Sequence, residues 1–321
     1  MSTTKVIFDT DPGIDDAMAL LFLKSSPALQ LMGITTVLGN ASIDTTTRNA
    51  LFLRQHFEIA APVARGAAAP LNGVITPVPD MIHGVNGLGD IPLPEIDYSG
   101  LHALEASRFI IETVRANPGE VTIIAVGRMT NLALALRLDP EIAPLVKSVV
   151  IMGGAFGFGG HSGNVTPVAE ANIHGDPEAA DEIFAANWKV TAIGLDVTQE
   201  ALMSNAYLAE LRDRAGADGQ LIWDMTRLYA RFYNDIVGVD GVYGHDSLAV
   251  AYVIAPELFT TRSGPIRVVT EGLAVGQTIQ QPDIRKFPPS PWSGLPSHDI
   301  CVACDTPAIL DLYMKTIVDA A

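Results

Sequence analysis

The chain has 321 residues, 48% hydrophobic and only 17% charged, a composition that suits a large buried core. Its 20 basic and 36 acidic residues give a net charge of −16, and no cluster of Lys and Arg interrupts that balance, which argues against nucleic acid or an anionic membrane surface as a partner. Apolar runs fall well short of the roughly 18 residues of a membrane span, and the opening Met-Ser-Thr-Thr-Lys leads straight into a strand-like run with no room for a secretory signal, so a cytoplasmic protein is expected.

Strand and helix signals then alternate. Strand-like runs cover 5–9, 29–37, 121–126, 148–152 and 189–195, and helical patterns cover 15–25, 43–57, 101–116, 131–138 and 177–186. Such alternation predicts βαβ units and a parallel sheet. The run Val149-Val150-Ile151-Met152 is apolar throughout, as expected when helices cover both faces. After about residue 200 the pattern turns helical, with a long segment over 220–237, a Gly-rich stretch 238–244 and a helix over 245–254. The Pro-rich stretch 281–296 reads as a surface loop, and 305–320 as a final helix. No repeat or linker splits the chain. The expected fold is therefore α/β: a single domain, 1–321, with an open, mostly parallel sheet, helices on both faces, a Rossmann-like core and additional C-terminal helices. Both cysteines stand in one Cys-x-x-Cys, Cys301 and Cys304, inside a strand-like run. Residues three apart on a strand point to opposite faces, so two small apolar residues are expected rather than a redox pair.

Polar clusters fall at the carboxyl ends of several strands, where open parallel sheets bind ligands. The densest is Asp-Thr-Asp-Pro-Gly-Ile-Asp-Asp-Ala at 9–17, which places Asp9, Asp11, Asp15 and Asp16 within eight positions. Four like charges so close raise one another's pKa, and a hard cation is the natural compensation. Helix N-capping would explain Asp15 or Asp16, but not all four. A calcium loop of the helix-loop-helix type needs Glu at its twelfth position; counted from Asp9, that position is Leu20. A phosphohydrolase with an aspartyl nucleophile would suit Asp9 and Asp11, but no clear phosphate-gripping Lys or Arg accompanies them.

Three further clusters are candidates. Asn164, Glu170 and Asn172 suit hydroxyl-rich ligands, although a capped polar turn is the plainer reading. The Gly-rich run 153–160 lacks dinucleotide-binding spacing, since Ser162 stands where glycine is needed. His245-Asp246 opens a helical pattern; Asp246 offers another carboxylate for a metal and His245 an acid near neutral pH. Tyr229 and Tyr233 lie four apart on one helical face, which by itself suggests core.

Taken together, these residues resemble the inosine-uridine preferring nucleoside hydrolases. The opening motif carries the likeness. It continues through Gly39-Asn40, His83-Gly84 with Gly87-Leu88, Val126-Gly127 with Thr130-Asn131-Leu132, Met152-Gly153-Gly154, Asn164 to Asn172 and His245-Asp246, and so covers nearly the whole chain. The resemblance implies hydrolysis of the N-glycosidic bond of ribonucleosides, with one Ca2+ per subunit and a homodimer or homotetramer. It implies Asp11, Asp16 and Asp246 as side-chain metal ligands and the Val126 carbonyl as a fourth, with Asp9 near the metal but not assigned to it. Asp15, Asn40, Asn164, Glu170 and Asn172 would hold ribose hydroxyls, Met152 would lie against the sugar, and His83 would sit on a mobile loop near the 5′ side or the base. Asp11 would act as general base, and His245 would assist departure of the base, with Tyr229 and Tyr233 lining the base side. That last set resembles the non-specific or pyrimidine-tolerant branch more than the purine-specific one. Three positions depart from the pattern: Arg128-Met129 replaces a common Pro-Leu, and Ala171 a common Phe. The Pro-rich loop with Trp292 is a further peculiarity that could reach the site. The competing expectation is a nucleoside- or ribose-binding protein without catalysis, which the intact Asp11, Asp16, Asp246 and His245 disfavour.

Overall fold

The computed structural model describes residues 3–321. Its first half follows the expected alternation: β1 (Thr4–Thr10), α1 (Ile14–Ser25), β2 (Leu29–Thr36), α2 (Ile43–His56), β3 (Val63–Arg65), a short α3 (Asp80–His83), α4 (Ala106–Ala116), β4 (Val121–Ala125), α5 (Thr130–Leu138) and β5 (Ser148–Met152). It continues with α6 (Ala171–Gly175), α7 (Pro177–Ala185), β6 (Val190–Ile193), α8 (Leu195–Thr198), β7 (Leu202–Ser204), α9 (Asn205–Arg214), α10 (Gly216–Ile236), β8 (Gly241–Tyr243) and α11 (His245–Ile254). The chain closes with β9 (Phe259–Gly264), β10 (Ile266–Val268), β11 (Thr278–Gln280), β12 (His298–Cys304) and α12 (Thr306–Val318).

Eight strands form one sheet in the order β3-β2-β1-β4-β5-β6-β12-β9. Every pairing is parallel except β12 with β9. From β1 the chain winds outward through β2 and β3, then returns to the other side of β1 as β4. The direction of winding therefore reverses between β1 and β4, and the crevice outside their carboxyl ends is the ligand position of an open α/β sheet. Alternation along β1 feeds both layers: Val6 and Phe8 pack on one face, and Ile7 on the other. Helix α1 is buried nearly all round, because α10, α11 and α12 cover the side turned away from the sheet. Tyr313 of α12 donates to the Met18 carbonyl at 3.2 Å.

The structure amends the expected elements in several places. Helix α4 begins at Ala106, not 101, because Leu101 bridges to Val63 and His102 N–H donates to the Val63 carbonyl at 2.7 Å, which holds that stretch against the sheet edge. Strand β3 is three residues long, too short to show a period. Strand β9 is an edge strand with an exposed, polar middle. Residues 202–204 and 241–243 pair as a two-stranded ribbon inside the stretch read as helical. Cys301 is buried and Cys304 half-buried, both free, so the pair is not a disulfide. Among the described residues no helix is long and apolar enough to cross a membrane.

Candidate active site

The crevice at the β1 and β4 ends opens into a cavity of about 580 Å³, a size suited to a small-molecule ligand. Asp11, Asp15, Asn40, His83, Val126, Met152, Asn164, Glu170, Asn172, Tyr229, Tyr233, His245 and Asp246 all line it. Asp16 lies directly behind.

Asp11 is seated by two glycines. A Cβ at Gly39 would collide with its Oδ2, and one at Gly127 would lie 2.6 Å from its Oδ1, so both positions need glycine's close approach. Asn40 N–H donates to Oδ2 at 2.8 Å, while Oδ1 is buried without a hydrogen-bond partner. Asp16 occupies the first turn of α1 and does double duty. Its carboxylate accepts from Thr10 Oγ1, Asp11 N–H, Gly13 N–H and Asn40 Nδ2. The Gly13 contact is the reach-back half of a helix cap. Asp9 is fully buried; Thr35 Oγ1 donates to it at 2.5 Å and Asn131 Nδ2 at 2.8 Å. Asp15 Oδ1 and Asp9 Oδ2 have no partner.

Burial and mutual repulsion push these carboxyls up. Asp11 stands well above the usual range, raised by burial and by the Asp16 charge. Asp15 is pushed to about 8 by burial and Asp16, and Asp9 to about 7 by burial. Asp246 stands well above the usual range for the same reasons, with Asp15, Asp16, Asp11 and Glu170 all adding to it. One carboxylate oxygen each from Asp15, Asp16 and Asp246 falls within a 4.8 Å span. Asp11 Oδ1 and Asp15 Oδ1, buried without protein partners beside this group, are the kind of oxygen a hard cation takes. The residues present therefore fit a divalent metal, with Asp15 added to the expected ligands and Asp11 standing outside the tightest group. The Val126 carbonyl faces the cavity but accepts from Asn172 Nδ2 at 2.8 Å, so Asn172 shares that position.

Glu170 is the N-cap of α6. It accepts from Asn172 and Ile173 N–H at 2.9 and 3.1 Å and from Gly154 N–H at 2.9 Å. Asn172 Nδ2 also reaches the Met152 carbonyl at 3.1 Å, and Asn164 Oδ1 accepts from Ala171 N–H at 3.0 Å. His83 ends the four-residue helix α3. Its Nδ1 accepts from Ile14 N–H at 3.2 Å and its ring stands 5.4 Å from Tyr229. His245 Nδ1 lies 2.7 Å from Thr198 Oγ1 and Nε2 lies 2.9 Å from Tyr233 Oη, which lies 3.1 Å from Tyr229 Oη. Burial lowers His245 to about 4 and raises both tyrosines, so the imidazole and phenols are neutral at neutral pH.

Sequence reading missed Thr198, because its contact with His245 spans 47 positions. It also missed Arg128 as a cavity residue, having noted it only as a departure from the family pattern. None of residues 281–296 lines the cavity, so the Pro-rich loop and Trp292 do not reach it.

The site is a set of acidic residues gathered with a histidine at the winding reversal of a mostly parallel sheet, and comparison with known proteins gives its class, the N-ribosyl hydrolases. The family model described as "Inosine-uridine preferring nucleoside hydrolase" matches residues 6–311. Uridine nucleosidase 1 of Arabidopsis thaliana is 43% identical over 316 residues, covering 97% of this chain and 92% of its own. A solved plant nucleoside hydrolase superposes with a TM-score of 0.91 at 34% identity, covering 98% of this chain and 99% of the other. A purine-preferring ribonucleoside hydrolase from Gardnerella vaginalis gives 0.90 at 33% identity, with 98% of each chain covered. The chain belongs to the inosine-uridine preferring nucleoside hydrolase family.

Proposed function

We propose that the protein is a calcium-dependent ribonucleoside hydrolase that releases free base and ribose, with uridine among its substrates. The observation that carries this reading is one cavity lined both by unpartnered carboxylate oxygens and by the His245–Tyr233–Tyr229 chain. The 43% identity to a protein named for uridine favours that base, as do the paired tyrosines beside His245. Asp16, Asp246, Asp11 and the Val126 carbonyl, with Asp15 close by, would hold Ca2+. When bound, the ion supplies a lowered pKa for water and an anchor for ribose hydroxyls.

The side chains divide the remaining work. Asp11 Oδ1, free of protein partners, takes the proton from the attacking water as its oxygen bonds to the anomeric carbon. The N-glycosidic bond breaks, and its electron pair leaves with the base. Positive charge developing on the sugar is stabilised by Asp15, Asp246 and the other buried carboxylates. Asn40, Asn164, Asn172 and Asp15 orient the sugar hydroxyls, with Met152 below them. Glu170 acts by fixing the Asn172 backbone. His83 closes the wall beside Tyr229. The neutral Tyr229–Tyr233–His245 chain offers the departing base a hydrogen bond that stabilises its electron pair, and the base takes its proton from water. A single guanidinium, Arg128, among five carboxylates does not make a phosphate site, which disfavours a phosphohydrolase. The same reading carries a cytoplasmic homodimer or homotetramer acting in nucleoside catabolism and salvage.

The test is release of ribose, measured as reducing sugar, from uridine, cytidine, inosine and adenosine. Uridine should be cleaved, and Asp11→Ala should be about a hundredfold to ten-thousandfold slower. Cleavage of none of the four, or equal rates for the variant, rejects the proposal.

A further inference from the structure

Arg128 follows β4 and is only 7% exposed, yet it lines the cavity. Its Nη2 donates to Thr76 Oγ1 at 3.1 Å, and its Nη1 is buried with no hydrogen-bond partner. Among the described residues it forms no ion pair within 4.0 Å. Asp11 and Asp176 act on it from longer range. Space for the side chain depends on Gly175, where a Cβ would lie 2.5 Å from Arg128 Nε. No other Lys or Arg lines the cavity.

An unpaired buried guanidinium is unfavourable by itself. Here it faces a cavity shared by Asp11, Asp15, Asp246 and Glu170, with Asp16 behind, and two of their oxygens, Asp11 Oδ1 and Asp15 Oδ1, lack protein donors. The two liabilities are opposite in sign and adjacent, so each lowers the other. Thr76 fixes the guanidinium, and its distance beyond ion-pair range leaves the carboxylate oxygens open.

We propose that Arg128 is a resident counter-charge of the acidic site: it offsets the repulsion among the carboxylates before a cation arrives, and it weakens their hold on that cation. This rests on the reading that the aspartates hold Ca2+. Removing a unit positive charge beside a divalent ion tightens its binding, whereas the metal-free cluster is left more repulsive.

The test is calorimetric titration of Ca2+ into chelator-stripped protein, with melting temperatures recorded in chelator and in saturating Ca2+. Arg128→Met and Arg128→Gln should bind Ca2+ about tenfold more tightly than the natural protein. Both should melt lower without metal and recover with it, and Arg128→Lys should bind within about twofold of the natural protein. Neutral variants that bind equally or more weakly overturn the proposal, as does a Lys variant that behaves like Met. If Arg128→Met does not fold, Arg128→Gln decides, since its amide can still reach toward Thr76. If neither neutral variant folds even with Ca2+, Arg128 is a packing residue and the proposal fails. A natural protein that takes up no Ca2+ sinks the metal reading instead, and the two failures are thereby separated.

Discussion

Burial holds His83 and His245 neutral in the cavity, and His83 shows the consequence most directly. Burial, with a smaller contribution from His245, lowers it from 6.5 to about 3, and its unprotonated Nδ1 accepts from Ile14 N–H. The unfolded chain takes up a proton near pH 6.5 that the folded protein refuses until about 3. Unfolding therefore gains a proton across that window, and stability falls as pH drops through it, by up to about 1.4 kcal/mol per pH unit. Denaturant unfolding at a series of pH values should give a shallower acid-side loss for His83→Gln than for the natural protein; identical slopes would refute the assignment. His245 titrates in the same direction, so some slope remains. Asp9 illustrates what one residue's neighbours conceal from the sequence. Its type and its place at a strand end were legible, but its donors Thr35 and Asn131 come from 26 and 122 positions away.

At the scale of elements, α6 positions more of the site than its five residues suggest. Glu170 satisfies three backbone donors at the helix start and the adjoining turn, and so fixes Asn172 against Val126 and Met152. Glu170→Ala should cost about 1–3 kcal/mol in a denaturant melt and lower kcat/KM, with Glu170→Gln milder on both counts. An unchanged midpoint would show that the cap is dispensable. The Pro-rich segment makes the opposite case: its residues are absent from the cavity wall. Trp292→Ala, or replacement of 284–294 by a short Gly-Ser linker, should leave kcat/KM for uridine within about twofold, because surface changes away from packed or catalytic features are nearly neutral. A large loss would place the loop in the reaction. These two elements were unequally legible. A carboxylate immediately ahead of a short helix gives a capping signal, whereas the fate of a long loop depends on which part of the surface it lies against.

For the whole molecule, the carboxylate cluster makes folding and cation binding one equilibrium. A cation that binds only the folded state stabilises it by about 2.7 kcal/mol at a hundredfold excess over Kd. The melting temperature should rise with Ca2+ and fall with chelator, and a melt indifferent to both would exclude a structural hold on the ion. The metal-free protein should also weaken as pH rises toward 8. The folded pKa of Asp15, about 8, lies above its ordinary 3.8, so the proton that the folded state keeps is lost there.

The sequence by itself determined the alternation of strands and helices, the parallel core and the chemical types at each strand end, because those signals are local: hydrophobic period, glycine, and a run of aspartates. It also singled out thirteen of the residues that line the cavity, from Asp11 to Asp246. Tertiary structure alone decided how they are placed. It set Asp16 behind the wall as both cap and carboxylate, linked His245 to Thr198, and returned β12 to the sheet beside β6 while leaving β9 on its edge. It also brought Arg128 to the aspartates and kept Trp292 away. Each of those outcomes depends on contacts between segments distant in the chain, where the energy lies in burial and in unpaired charge rather than in any local pattern.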